Sequence, residues 1–393
     1  MKISIVGTGQ LARMLALEGW AMGMEFSFLD TLEASSTCVE GLGPVIRYQA
    51  GTQARELYQQ LGSPDVITVE KEDVDTRLLT ALQEYCFVYP DPSIIHICQH
   101  RGRERELLDS IGAPSVAHEK VSSVNELHAA IRRIGLPAIL KSCESGYDGQ
   151  NQWSLETQAD VDTFTENVSE FTPSILESRV SFKRELSIIL ARGVDGRYSV
   201  YPLTENFHSK GVLLTSIAPA PNIDALLLSQ MDDLVMRFIS AWDYVGVLAI
   251  ECFETDNGLL VNELAPRVHN SRHWTQFGAD TNQFQNHLRA ISGMTLGQTH
   301  ARGCVGMVNI LGRAGTSDII CHSNSQVHLY NKAPRPGRKL GHVNLLEQDR
   351  QRLEQKMNQM LLDIYGESEV KLLKNMQGFF RIPELQHDIS QAY

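Results

Sequence analysis

The chain has 393 residues, 42% hydrophobic and 21% charged, with a formal net charge of −12. It is too long for one ordinary core, so two or three domains are expected. No apolar run approaches the roughly 20 residues that span a bilayer, and so acidic a chain is repelled by the phosphates of nucleic acid. Cys38, Cys86, Cys98, Cys143, Cys252, Cys304 and Cys321 lie far apart with no C-x-x-C spacing. That pattern argues against a zinc site or a disulfide framework and for a reducing cytoplasm.

"KISIVGTGQLARMLALEGWAMGMEFSFLD" predicts strand, glycine turn, helix and strand: Ile3 to Val6, a helix from Gln10 to Met22 with Leu11, Leu15, Ala16 and Met22 on one face, then a strand ending at Asp30. The short opening apolar stretch reads as a strand rather than a signal peptide. "DVITVE" (65–70) and "CFVYP" (86–90) continue a parallel, doubly wound α/β unit. Two helices follow, "RGRERELLDSIGAP" and "VNELHAAIRRIG", stopped by Gly112 and Pro114 and by Gly135 and Pro137. "PAILKSCESGYDGQNQWSL" predicts strand, glycine loop, strand. "PSILESRV", "RELSIILARG" and "YSVYPLTENFH" are each expected as one further strand, giving an α+β pattern. In "DRQRLEQKMNQMLLDIYG", Leu353, Met357, Met360, Leu361 and Ile364 share a helical face suited to core packing.

The chemistry concentrates in "GVLAIECFETDNGLLVNELAPRVHNSRHW" (246–274). Two apolar strands flank a turn, and Glu251 and Glu263 stand symmetric about Asn257. Facing residues of a hairpin have Cβ atoms about 5 Å apart. Two carboxylates at that distance repel unless cations neutralise them. Neighbouring Lys or Arg would do so, as would a hard divalent cation such as Mg²⁺, which draws its other ligands from water and substrate phosphates. A nucleotide is therefore expected. Lys141 ends an apolar strand just before a glycine loop whose amides could cradle phosphates. Lys332, Arg335, Arg338, Lys339 and His342 lie within eleven residues, stiffened by Pro334 and Pro336. In an acidic protein such a run suits a local phosphate site as well as a solvated loop.

These residues carry a resemblance. Lys141, the glycine loop, "LES" and the Glu-strand-Glu-x-x-x-Arg hairpin resemble the ATP-grasp enzymes. More narrowly, "GQLARM", "SGYDGQNQW", "YPLTENFH", "NELAPRVHNSRHWT" and "RPGRKLGH", in this order from residue 2 to about 365, resemble the N5-carboxyaminoimidazole ribonucleotide synthase family. The resemblance implies a doubly wound (Rossmann-like) pre-ATP-grasp domain at 1–98 and a small lid at 99–175. A large ATP-grasp domain, with the metal hairpin and a small C-terminal region, would take 176–393. It implies ATP, Mg²⁺ (or Mn²⁺), bicarbonate and 5-aminoimidazole ribonucleotide as cofactor and substrates, carboxyphosphate as intermediate, and a cytoplasmic homodimer.

By position, Arg101 and Lys141 would hold ATP phosphates, with Gly146, Tyr147, Asp148, Gly149, Gln150, Asn151 and Gln152 as the phosphate loop. Glu177, Ser178, Arg179 and Val180 would form the adenine hinge. Glu185 would take the ribose hydroxyls and His208 would complete the pocket. Glu251 and Glu263 would hold the metal beside Asn262, whose strict alternation to the other face demands a bulge or a backbone contact. Arg267 would stabilise the transferring phosphoryl group. Tyr147 and Asp148 would close over the amine, and Asp148 would orient it or accept its proton. His269, Asn270, Ser271 and His273 would line the imidazole and ribose pocket. Lys332, Arg335, Arg338 and Lys339 would bind the ribonucleotide phosphate.

Four residues depart from the family pattern: Ser145 and Asn151 stand for glycines, Gln150 for a basic residue, and Arg272 for a glycine. Arg272 would either return the missing charge to the pocket or block it. A nucleotide-binding paralogue with impaired catalysis is thus one alternative. Another follows from Gly7-Thr8-Gly9, Ala12 and Asp30, which loosely fit a dinucleotide fingerprint and hence an NAD-dependent oxidoreductase. A biotin carboxylase would carry Asn where this chain has Ala265.

Overall fold

A computed structural model describes residues 1–31, 36–144, 151–312 and 324–374. The N-terminal unit is a five-stranded parallel sheet in the order Val45–Arg47, Glu25–Asp30, Lys2–Val6, Val66–Val69, Phe87–Val88. The order reverses at the first strand, so both faces need helical cover. Helix Gln10–Ala21 buries Leu11, Ala12, Met14, Leu15 and Ala16 on one of them.

The second sheet has four antiparallel strands, in the order His118–Val121, Ser174–Ser178, Ala138–Ser142, Gln152–Leu155. Helix Val124–Ile134 begins at Ser123, whose side chain accepts from the Glu126 amide, and ends at Gly135 with φ 85°. Its buried Leu127, Ala130 and Ile131 cover Leu140 and Leu176 of the sheet. This sheet closes at Ser178, three residues beyond the expected lid boundary at 175.

The third sheet has nine strands. Its path runs Gly258–Ala265, Gly246–Thr255, Arg184–Arg192, Thr204–Ser209, Val212–Ala218, Cys304–Leu311, Lys339–Glu347, Ser325–Leu329. "YSVYPLTENFH", expected as one strand, is two: Tyr198–Val200 pairs on Arg184–Arg192 and Thr204–Ser209 follows after a break. Pro202 lies in the break, and its ring nitrogen has no hydrogen for a ladder bond. The strands after residue 300 extend the same sheet. On them packs helix Arg350–Tyr365, with Leu353, Met357, Met360, Leu361 and Ile364 buried as the periodicity predicts.

Alternation along the central strands divides the core. Leu186, Ile188, Leu190, Leu248 and Ile250 pack on helix Ala225–Ala241. Ile189, Ala191, Val247 and Ala249 face the other way and share a cluster with Ile3, Ile5 and Leu15 of the N-terminal unit. The polar members of that second face, Glu185, Ser187 and Glu251, thereby point towards the junction of the units.

Candidate active site

The hairpin turns through Asp256 and Asn257, with Thr255 opposite Gly258. Thr255 Oγ1 accepts from the Asn257 amide at 3.1 Å and donates to the Gly258 carbonyl at 2.9 Å. A two-residue turn alone would set Glu251 opposite Asn262. Instead the register slips between Glu251 and Cys252: Cys252 faces Val261, and Glu251 faces Glu263. Asn262 is the extra residue of a bulge, which is how it joins the metal-side wall. The facing glutamates are as expected, but through a tighter turn plus a bulge. Glu251 is buried and Glu263 exposed. Burial and then the nearby charge of Glu263 raise the pKa of Glu251, while His208 acts in the opposite direction. Such a pair of hard oxygen donors fits a divalent cation. Among the described residues no group of three or more His, Cys, Asp or Glu could hold a metal, so further ligands would come from phosphate and water.

On the lid side, Lys141 Nζ lies 2.6 Å from Glu177 Oε2, and Arg105 Nη2 lies 2.7 Å from Glu177 Oε1. Burial alone would lift Glu177, but Lys141 and Arg105 hold it at about 2. Arg101 Nη1 donates to the Ser142 carbonyl at 2.7 Å, which ties it to the end of the Lys141 strand. The Ser178 and Arg179 amides, expected to serve an adenine ring, are bonded to the carbonyls of Ala117 and Pro137 at 2.8 and 3.1 Å. Arg179 also pairs with Glu156. Glu185 and His208 meet at 2.5 Å. Burial opposes protonation of His208, but the bond to Glu185 and the surrounding carboxylates raise its pKa to about 9.

One cleft of about 780 Å³ opens where the three units meet. Its walls bring together Arg101 and Lys141 from the lid, Asn262, Glu263 and Arg267 from the hairpin, and Lys332, Arg338 and Lys339 from the basic run. Arg267 is 5% exposed, its Nε 2.8 Å from Glu72 Oε1. Lys332 is bonded to Gln10 of the first glycine turn, and burial lowers its pKa. Arg335 is exposed and does not line the cleft.

Nor do the substrate residues of the 269–273 turn. Ser271 is buried, its Oγ 3.0 Å from Ser187 Oγ. His269 stands behind Glu251, Nε2 to Oε1 3.5 Å, and the side-chain Nδ2 and Oδ1 of Asn270 are buried without a hydrogen-bond partner among the described residues. His273 sits in a ring stack, 4.7 Å from His342, which is 4.6 Å from His328. Arg272 neither reaches the cleft nor blocks it. It is wholly buried, bonded to the Pro202 carbonyl and Thr204 Oγ1, and to the Ser187 carbonyl at 2.6 Å. Desolvation holds its pKa at about 9. Gly146 to Gln150, with Tyr147 and Asp148, and Ser145 lie outside the described residues. Asn151 takes φ 52°, a conformation that Asn tolerates, and Gln152 pairs with Lys141 across the strands.

Sequence reasoning missed Glu70, Glu72, Glu104 and Arg105. Glu70 accepts from the amides of Gly9 (2.7 Å) and Ala12 (3.2 Å). A Cβ at Gly9 would lie 2.6 Å from its carboxylate. These glycines therefore admit an internal carboxylate at the helix N-terminus, the place a dinucleotide's pyrophosphate would need, and the oxidoreductase reading falls.

Comparison with known proteins agrees. Residues 1–99 match the ribonucleotide synthetase preATP-grasp domain, 106–284 the ATP-grasp domain, and 306–356 the phosphoribosylaminoimidazole carboxylase C-terminal domain. The N5-carboxyaminoimidazole ribonucleotide synthase of Pseudomonas aeruginosa is 41% identical over 356 residues, 90% of this chain and 97% of the relative. This chain belongs to the N5-carboxyaminoimidazole ribonucleotide synthase family. The family's members are ATP-grasp ligases. The synthetase of Thermus thermophilus superposes with a TM-score of 0.85 at 36% identity, covering 93% of this chain and 99% of that one. The enzyme of Aspergillus clavatus, solved with ADP and 5-aminoimidazole ribonucleotide, gives 0.83 at 25% identity, covering 92% and 98%.

Proposed function

We propose that the protein uses ATP and bicarbonate to carboxylate the exocyclic amine of 5-aminoimidazole ribonucleotide, a step of purine synthesis. The products are N5-carboxyaminoimidazole ribonucleotide, ADP and phosphate. The observation that carries the reading is the cleft that gathers cations from the lid, the hairpin end and the basic run around Glu263.

In this reading Arg101 and Lys141 hold the ATP phosphates. Glu251 and Glu263 hold Mg²⁺, or Mn²⁺ in its place, which would neutralise charge on the phosphates. A bicarbonate oxygen attacks the γ-phosphorus and ADP leaves. Arg267 stabilises the charge on the moving phosphoryl group, a task that needs fixed positive charge rather than a strong base. Carboxyphosphate then splits into CO₂ and phosphate, and the amine adds to the CO₂ carbon and loses a proton. Asp148 and Tyr147 are the residues proposed to orient that amine. Lys332, Arg338 and Lys339 anchor the ribonucleotide phosphate. A cytoplasmic homodimer is inferred from the family resemblance alone.

The test is an ADP-release assay run complete and with each of Mg²⁺, bicarbonate and ribonucleotide left out. The reading expects full turnover only when all are present. ADP release indifferent to the ribonucleotide would overturn it.

A further inference from the structure

Arg105 belongs to no assigned role, yet it lines the cleft with all three guanidinium nitrogens engaged. It lies on helix Arg101–Ser110, 3% exposed at the side chain. Its Nε and Nη2 donate to Glu177 Oε1 at 2.8 and 2.7 Å. The same Nη2 donates to the Asn262 carbonyl at 2.8 Å, and Nη1 to the Val261 carbonyl at 3.3 Å. Those two carbonyls belong to the bulge that sets Glu263 opposite Glu251. The other oxygen of Glu177 holds Lys141. One planar guanidinium thus joins the bulge of the metal hairpin to the counter-ion of the phosphate lysine.

Three features make this more than packing. A bulge leaves backbone groups outside the ladder, and here two of its carbonyls accept from a cation. Glu177 is flanked by two cations, so the triad keeps a net positive charge at the cleft wall. Lys141 spends only one of its donors on Glu177, which leaves others for an anion. The fork geometry of arginine spans a carboxylate and two carbonyls, and a lysine's point charge cannot.

We propose that Arg105 is a positioning residue for the nucleotide site, fixing the metal carboxylates and Lys141 as one unit. The inference rests on the nucleotide reading of the cleft above. Titration calorimetry of ADP, once with Mg²⁺ and once with EDTA, separates the two halves. Wild-type protein should bind ADP, and more tightly with Mg²⁺; indifference to ADP would sink the functional reading itself. Arg105→Lys should lose about tenfold or more in EDTA and lose most of the Mg²⁺ enhancement too, the loss expected for one charge-assisted network. Glu177→Gln, which frees Lys141 but leaves an acceptor for Arg105, should weaken binding in EDTA while the Mg²⁺ enhancement survives. Binding of 5-aminoimidazole ribonucleotide should change less than about twofold in both. The inference is overturned if Arg105→Lys keeps the full Mg²⁺ enhancement. It is equally overturned if ADP and ribonucleotide binding fall together with the melting temperature, the sign of a merely structural residue.

Discussion

Replacing Glu104 by Gln should stabilise the protein, and increasingly so as pH rises. Glu104 is 5% exposed on the cleft wall, one residue before Arg105. Burial is the main cause that raises its pKa, from 4.5 to about 8, with Glu263 acting in the same direction and Arg105 and the Leu264 amide against it. The folded state therefore binds a proton that the unfolded state releases between these two values. A raised carboxyl contributes stability in full below the unfolded value and loses it as pH climbs through about 8. Linkage over this window gives a wild-type loss, relative to a neutral amide of the same shape, that grows by roughly 2–3 kcal/mol between pH 6 and 9. Titrating groups that do not interact with Glu104 cancel in the comparison of the two proteins. The assay is urea denaturation of wild type and Glu104→Gln at several pH values across that range. A stability difference that stays flat with pH would refute the assignment of a neutral Glu104. Chemically, that neutrality spares the cleft wall one more negative charge close to Glu263.

Glu263→Ala should lower turnover by about 10²-fold or more while leaving the urea midpoint close to wild type, because the side chain is exposed; near-normal rates would remove it from the metal site. Arg272→Met should cost about 3 kcal/mol by leaving the acceptors at Pro202, Thr204 and Ser187 without their donor, with the affinity for ADP unchanged by calorimetry. Lys332→Ala and Lys339→Ala should each raise the KM for the ribonucleotide about tenfold and leave the KM for ATP within about twofold. An effect on ATP instead would move these lysines to the nucleotide side of the cleft.

Much of this protein is local and was legible before any folding was considered. Apolar runs mark Gly246–Thr255 and Arg184–Arg192 as strands, and the 3.6-residue stripe marks helix Arg350–Tyr365. Gly135 ends its helix because the backbone there needs a positive φ. Glu251 and Glu263 were recognisable because carboxylates are rare on apolar strands. Other features depend on contacts that no short window holds. The sequence cannot announce the Asn262 bulge, because Arg105 secures it from 157 residues away. Glu177 reads as a hinge residue until Arg105, 72 residues earlier, and Lys141 are brought to its two oxygens. The first glycine turn suggests a dinucleotide until Glu70 fills it. Arg272 reads as a pocket charge until Pro202, in the break between two strands, and Ser187, inside the strand Arg184–Arg192, enclose it. Periodicity and capping act within a few residues, so composition along the chain sets them. Charge pairing and desolvation depend on distances in space, so only the assembled sheets decide which acid is neutral, which cation is occupied and which glutamate faces the cleft.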